Sequence, residues 1–211
     1  MNIYKRIKLP YNLNGLEPII FFNTMHYHYS VLHRNYELKL NETLKGTEIE
    51  KEYSSLEKLM ENLDNMPEEL KNDISFFGGG LINHNFFFAN LTEMSKSSEE
   101  IISEELMEII KKNFTNLANL KKNLVKNALK IRGSGWTWLV LDKNNNLTII
   151  NTINQDGPWS LHLRPLIAID VWEHAYFLDY GANRKEYVEK LLNFLLNWKY
   201  TCRLYFQYIN C

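Results

Sequence analysis

Every strand-like run in this chain lies between Trp136 and Asp170, and most of what precedes it carries helical spacing. Residues 136–142, 147–154 and 165–170 are short runs rich in β-branched and aromatic side chains. The first two are separated by Lys143-Asn144-Asn145-Asn146, which predicts a hairpin turn. Upstream, Met25, Tyr29, Leu32, Tyr36, Leu40 and Leu44 recur at helical spacing and predict a helix from about residue 23 to 44. A second helix is predicted to start near Ser55. A third starts at Met66-Pro67-Glu68-Glu69, where proline precedes two acids. That helix is expected to reach Phe77, to be interrupted by Gly78, Gly79 and Gly80, and to resume its apolar pattern through Phe88.

The polar stretch from Thr92 to Glu100 holds few large apolar residues and predicts a domain boundary, giving an N-terminal unit 1–92 and a C-terminal unit 93–211. Helices are predicted over 101–114 and 117–131, then over 173–180 and from 184 to about 200. Residues 1–18, with Pro10, Gly15 and Pro18, read as an extended lead-in. The layout is a helical first half followed by helix, three strands and helix.

The chain has 211 residues, 45% hydrophobic and 13% aromatic. That is enough apolar surface to build a core and excludes intrinsic disorder. Twenty-four basic and 25 acidic side chains leave a net charge of -1, which excludes a nucleic-acid coat. No apolar run approaches the roughly 20 residues needed to span a bilayer. The start, MNIYKRIKLPYNL, lacks the apolar run of a signal peptide, so a cytoplasmic protein is expected, without nucleic-acid or membrane partners. Cys202 and Cys211 form neither a disulfide framework nor a zinc spacing and read as incidental thiols on a C-terminal tail.

Six histidines carry the chemistry: His26, His28, His33, His84, His162 and His174. His28, His84 and His174 each sit among aromatic residues, and His174 follows Asp170 by four positions. Three imidazoles with a carboxylate suit Mn, Fe or Zn.

The segment DVWEHAYFLDYGANRKEY, from Asp170 to Tyr187, resembles the signature of the iron/manganese superoxide dismutase family. HYHYSVLHRNYELKLN, from His26, is similar to the family's first helix. GGGLINHNFFF, from Gly78 to Phe88, is similar to its second. GSGWTWLVLD and Asn154-Gln155-Asp156 are similar to its first strand and the end of its second. The resemblance implies an α+β protein: an N-terminal helical hairpin, then an α/β domain with a three-stranded antiparallel sheet. It implies that His28, His84, Asp170 and His174 hold one manganese ion, or iron, with solvent as a fifth ligand, and that superoxide is dismutated to oxygen and hydrogen peroxide.

It also implies roles around the metal. Tyr36 matches the gateway tyrosine. Gly80 with Gln155 is the manganese arrangement, since iron members tend to carry glutamine at the position of Gly80. Trp136, Trp138 and Trp172 match the pocket walls, and Arg184 matches an arginine near the channel mouth. Glu173 matches a residue that reaches across a homodimer to the partner's ligand histidine. Tetramer formation in the family depends on the connection between the first two helices.

This chain departs from the family pattern at the mouth. Where the family has Lys-His-His, it reads Val31-Leu32-His33, and the tyrosine that usually bonds the middle histidine across the dimer is Phe177. Both ends of one hydrogen bond have become apolar, so no polar group is stranded; losing one end alone costs about 1–3 kcal/mol. Phe88 stands where a tryptophan is typical. The same residues also fit a metal-binding relative with little turnover, or a structural or interaction homologue. Retention of Tyr36 and Gln155 beside all four ligands favours the enzyme.

Overall fold

The computed structural model describes residues 3–210 and shows a helical hairpin followed by an α/β unit. The first long helix, α1, runs through Phe22–Met25 and Arg34–Leu44 in α geometry, with π-helical His26–His33 between them. A short helix α2 spans Leu56–Glu61, its Ser55 cap accepting from the Lys58 N–H. The returning arm, α3, runs through Glu68–Asp73, a π-helical Ile74–Gly78 and Gly79–Ala89.

The three glycines therefore do not interrupt this helix, contrary to the sequence expectation. Gly79 and Gly80 are required by what the helix packs against. A Cβ on Gly79 would lie 2.2 Å from the Gln155 carbonyl oxygen, and one on Gly80 would lie 2.4 Å from Cδ1 of Tyr36. Glycine is helical here because only a backbone without a side chain can approach so closely. The cost of glycine in a helix is offset by tertiary contact.

The second unit begins with α4 (Glu104–Phe114) and α5 (Leu117–Ala128), capped by Ser103 and Asn116. Leu120, Leu124 and Ala128 recur every four residues on the buried face of α5, which packs on the sheet. Strands β1 (Gly135–Leu141), β2 (Leu147–Ile153) and β3 (Arg164–Asp170) form an antiparallel sheet in the order β2-β1-β3. All of β1 is buried, as befits a central strand covered on both faces. Its register sets Trp136 opposite both Thr152 and Asp170.

After β3 come a 3-10 turn (Glu173–Ala175), the short α6 (Phe177–Tyr180), α7 (Arg184–Phe194) and α8 (Trp198–Ile209). The single helix predicted from 184 to about 200 is broken, because residues 195–197 turn aside to pair with the end of the hairpin. Thr92 N–H donates to Leu195 O, and Asn197 N–H donates to Asn90 O. The predicted tail is helical to Ile209, and Cys202 is buried on it rather than dangling; Cys211 lies outside the described residues.

Candidate metal centre

Each of four side chains reaches one point from a different place in the chain. His28 lies on the π-helical turn of α1 and His84 on α3, while Asp170 ends β3 and His174 follows in the 3-10 turn. Their ligating atoms all lie within 4.8 Å of one another. Asp170 Oδ2 is 3.1 Å from His28 Nε2, 3.4 Å from His174 Nε2 and 3.6 Å from His84 Nε2.

These short distances are not ordinary hydrogen bonds. His28 Nε2 and Asp170 Oδ2 are buried and make none of proper geometry, although they are 3.1 Å apart. Buried polar atoms are otherwise almost always paired. Buried lone pairs converging on one point are what a cation satisfies, and the donor set suits Mn or Fe. The residues fit the metal.

Protonation agrees. Burial pulls the pKa of His28 below the usual imidazole value and that of His84 well below it, so both are neutral near pH 7. Burial alone would raise Asp170, but His174 and His28 override it and hold the carboxyl well below the carboxylate range. Orientation is set one layer out. His84 Nδ1–H donates to the Gly80 carbonyl at 2.6 Å, which leaves Nε2 as the free lone pair. The Trp172 backbone N–H donates to Asp170 Oδ1 at 2.8 Å, leaving Oδ2 to face inward.

Beside the ligands lies a second network. Gln155, 1% exposed, donates from Nε2 to the Tyr36 hydroxyl at 3.0 Å and accepts at Oε1 from Trp136 Nε1–H at 3.2 Å. Asn83 Nδ2 donates to the Gln155 backbone carbonyl at 2.9 Å and to Oε1 at 3.3 Å. The Tyr36 ring lies 5.2 Å from that of His84. Burial pushes its pKa up to about 12 against the opposing Gln155 bond, so the hydroxyl keeps its proton at neutral pH.

Aromatic rings enclose the centre. Trp136 meets His84 edge-on at 5.0 Å, and Trp172 stacks on His174 at 5.4 Å. Trp138 stacks on Trp136 and lies one ring further from the ligands, its indole N–H on Thr152 Oγ1. Phe88 packs against His28 at 4.9 Å. At the periphery Leu32 is half-buried, while Glu173 and Phe177 are exposed. Arg184 is half-buried and donates to the Tyr176 hydroxyl and to the carbonyls of Ile131 and Gly133.

Two residues in this centre were not singled out from sequence. Asn83 fastens Gln155. His33 is fully buried and stacks on His84 at 5.6 Å; neither ring nitrogen makes a hydrogen bond of normal geometry, though Leu81 and Asn85 are close. Its signal was a spacing of five from His28, the hydrogen-bond offset of a π-helix rather than the four of an α-helix.

Residues 3–92 match the family model described as the alpha-hairpin domain of iron/manganese superoxide dismutases, and residues 102–203 match the model of their C-terminal domain. The superoxide dismutase [Mn/Fe] 2 of Staphylococcus aureus strain bovine RF122 / ET3-1 is 38% identical over 202 residues, covering 96% of this chain and 97% of that protein. The proteins of the same name from strains Mu50 / ATCC 700699 and N315 are 37% identical over the same span. The chain belongs to the iron/manganese superoxide dismutase family. Membership accounts for the two-part architecture and for the three-histidine, one-aspartate cluster of this dismutase-family chain. Among its described residues no helix is long and apolar enough to cross a membrane.

Proposed function

We propose that this protein is a superoxide dismutase in which His28, His84, Asp170 and His174 hold one manganese ion, or iron, at the junction of the hairpin and the α/β unit. The observation that carries the reading is the convergence of four buried or nearly buried donors beside the Tyr36–Gln155 hydrogen bond. When bound, the ion supplies one-electron chemistry, oxidising one superoxide to oxygen and reducing a second to hydrogen peroxide.

The chain's own residues supply the rest. One carboxylate and three neutral imidazoles give a net ligand charge of -1, which favours the trivalent ion yet leaves the divalent one accessible. Forming peroxide consumes two protons. Tyr36, protonated at neutral pH and held by Gln155, provides a hydroxyl through which protons reach the site. Trp136 and Trp172 restrict water around the ligand rings, and Trp138 backs Trp136. Gly80 beside Gln155 favours manganese, since the space a longer residue 80 would need is filled by Tyr36 and the amide comes from Gln155 instead.

The working unit is a homodimer in the cytoplasm, with residues 1–92 and 93–211 as its two domains. Exposed Glu173, beside ligand His174, lies where a partner subunit would meet it, next to exposed Phe177 and Leu178. Assembly to a tetramer depends on the connection between α1 and α3. Leu32 and Phe177 then form an apolar mouth, and Arg184 braces the wall behind it through Tyr176. That apolar mouth also favours a second reading, a metal-binding family member with slow turnover.

One experiment separates these readings: superoxide dismutation per bound ion, on protein loaded separately with manganese and with iron. Fast turnover with manganese alone supports the enzyme and the Gly80–Gln155 selectivity. Turnover with both metals keeps the enzyme and discards the selectivity. Full loading with negligible turnover for either metal overturns the dismutase reading.

A further inference from the structure

We propose that Asn154 is a positioning residue whose left-handed backbone aims Gln155 at Tyr36 and holds Trp172 against His174, an inference that rests on the dismutase reading of the site. Strand β2 ends at Ile153, which is 63% exposed, whereas Gln155 is 1% exposed. The chain must therefore turn from the sheet edge into the core within two residues. It does so at Asn154, with φ of +49°. The Asn154 N–H still donates to Ser134 O at 3.0 Å, and the Asp156 N–H closes the turn on Ile153 O at 3.0 Å.

Four described non-glycine residues have positive φ, and Asn154 is the one that directly precedes a residue of the metal centre. Asparagine tolerates this region better than most side chains, and β-branched residues hardly adopt it. The Asn154 side chain is exposed and makes no hydrogen bond among the described residues, so its backbone conformation is what explains its identity. The same turn presents the Asn154 carbonyl to Trp172 Nε1–H at 2.9 Å, and the Trp172 ring stacks on His174. One peptide unit thereby sets both Gln155 and the Trp172 wall of the site, and among the described residues no hydrogen bond joins Asn154 to a candidate ligand or to Tyr36.

The test compares Asn154→Gly, which suits positive φ, with Asn154→Val, which opposes it. Crystal structures of the manganese-loaded proteins give two distances, Gln155 Nε2 to the Tyr36 hydroxyl and Trp172 Nε1 to the carbonyl of residue 154. The glycine variant is expected to keep both near 3.0 and 2.9 Å, with kcat within about twofold of the parent. The valine variant is expected to lengthen both beyond about 3.5 Å, past hydrogen-bonding range, and to lose about tenfold or more in kcat at full metal content while KM changes less. Asn154→Ala, free of the β-branch, is expected to fall between them and serves if the valine protein does not fold. A valine or alanine variant that keeps both distances and the parent's kcat overturns the proposal, as does a glycine variant that loses either distance. If the fully loaded parent itself lacks turnover, the dismutase reading fails, while the two distances still decide the role of Asn154.

Discussion

Gln155 and Tyr36, 119 residues apart, meet in a 3.0 Å hydrogen bond that joins the end of the second strand to the first helix. Around it both polar atoms of the glutamine amide are engaged: Nε2 with Tyr36, Oε1 with Trp136 and Asn83. The bond spans the two parts of the protein and fixes an ionisable hydroxyl beside His84.

Gln155→Ala should therefore cost more than one interaction. It leaves the buried Trp136 indole N–H without its acceptor, at about 1–3 kcal/mol for an unpaired buried group, while Asn83 Nδ2 keeps its bond to the backbone carbonyl of residue 155. It also frees the Tyr36 hydroxyl. Urea denaturation of the loaded protein should show the stability loss, and stopped-flow dismutation should show turnover down by about tenfold or more at unchanged metal content.

Gly80→Ala should be destabilising even though alanine is the better helix former. The added methyl would sit 2.4 to 2.7 Å from three atoms of the Tyr36 ring, so the ring must move. Overpacking of this kind costs about 1–3 kcal/mol, more than the gain of about 1 kcal/mol in helix propensity. A lower thermal midpoint with a lengthened Tyr36–Gln155 distance is the expected result; a raised midpoint would contradict it.

Restoring the polar mouth should act on turnover and not on folding. In the proposed homodimer, Leu32→His together with Phe177→Tyr replaces both apolar residues of the mouth at once, so neither polar group is stranded. The double variant should turn over faster than the parent at high superoxide, while either single change should give little or no gain. Pulse radiolysis across a range of superoxide concentrations would measure this.

Acid should destabilise the metal-free protein from near pH 6.5 downward. Burial, with His28 and Arg6 adding to it, pushes the His33 pKa down to about 3. Between that value and the ordinary 6.5 the unfolded chain binds a proton that the folded one refuses, so stability is full above 6.5 and falls as pH drops toward 3. His28 and His84 are shifted the same way by burial. His33→Phe removes one such proton and should flatten the slope by about 1.4 kcal/mol per pH unit in urea titrations between about pH 4.5 and 5.5.

Much of this protein was legible in its sequence because local patterns carry local periods. The apolar spacing from Met25 to Leu44, the three strands and their hairpin, and the helix start at Ser55 all act over a few residues. The candidate ligands were legible through the resemblance carried by the segments that start at His26, Gly78 and Asp170. The glycine run was misread because its purpose is tertiary: Gly79 and Gly80 are helical so that Gln155 and Tyr36 can press against them. The break at residues 195–197 was missed for the same reason, since its hydrogen bonds go to residues 90 and 92.

The sequence by itself determined the order of elements, the helical first half, the three short strands and the supply of histidine, aspartate, tyrosine and glutamine. Only the tertiary structure decided that His28, His84, Asp170 and His174 share one point, that a π-helical turn places His33 behind His84, and that Gln155 reaches Tyr36. Periodicity follows from the pitch of the backbone and is written in neighbouring residues, whereas the meeting of distant side chains depends on how whole helices and strands pack.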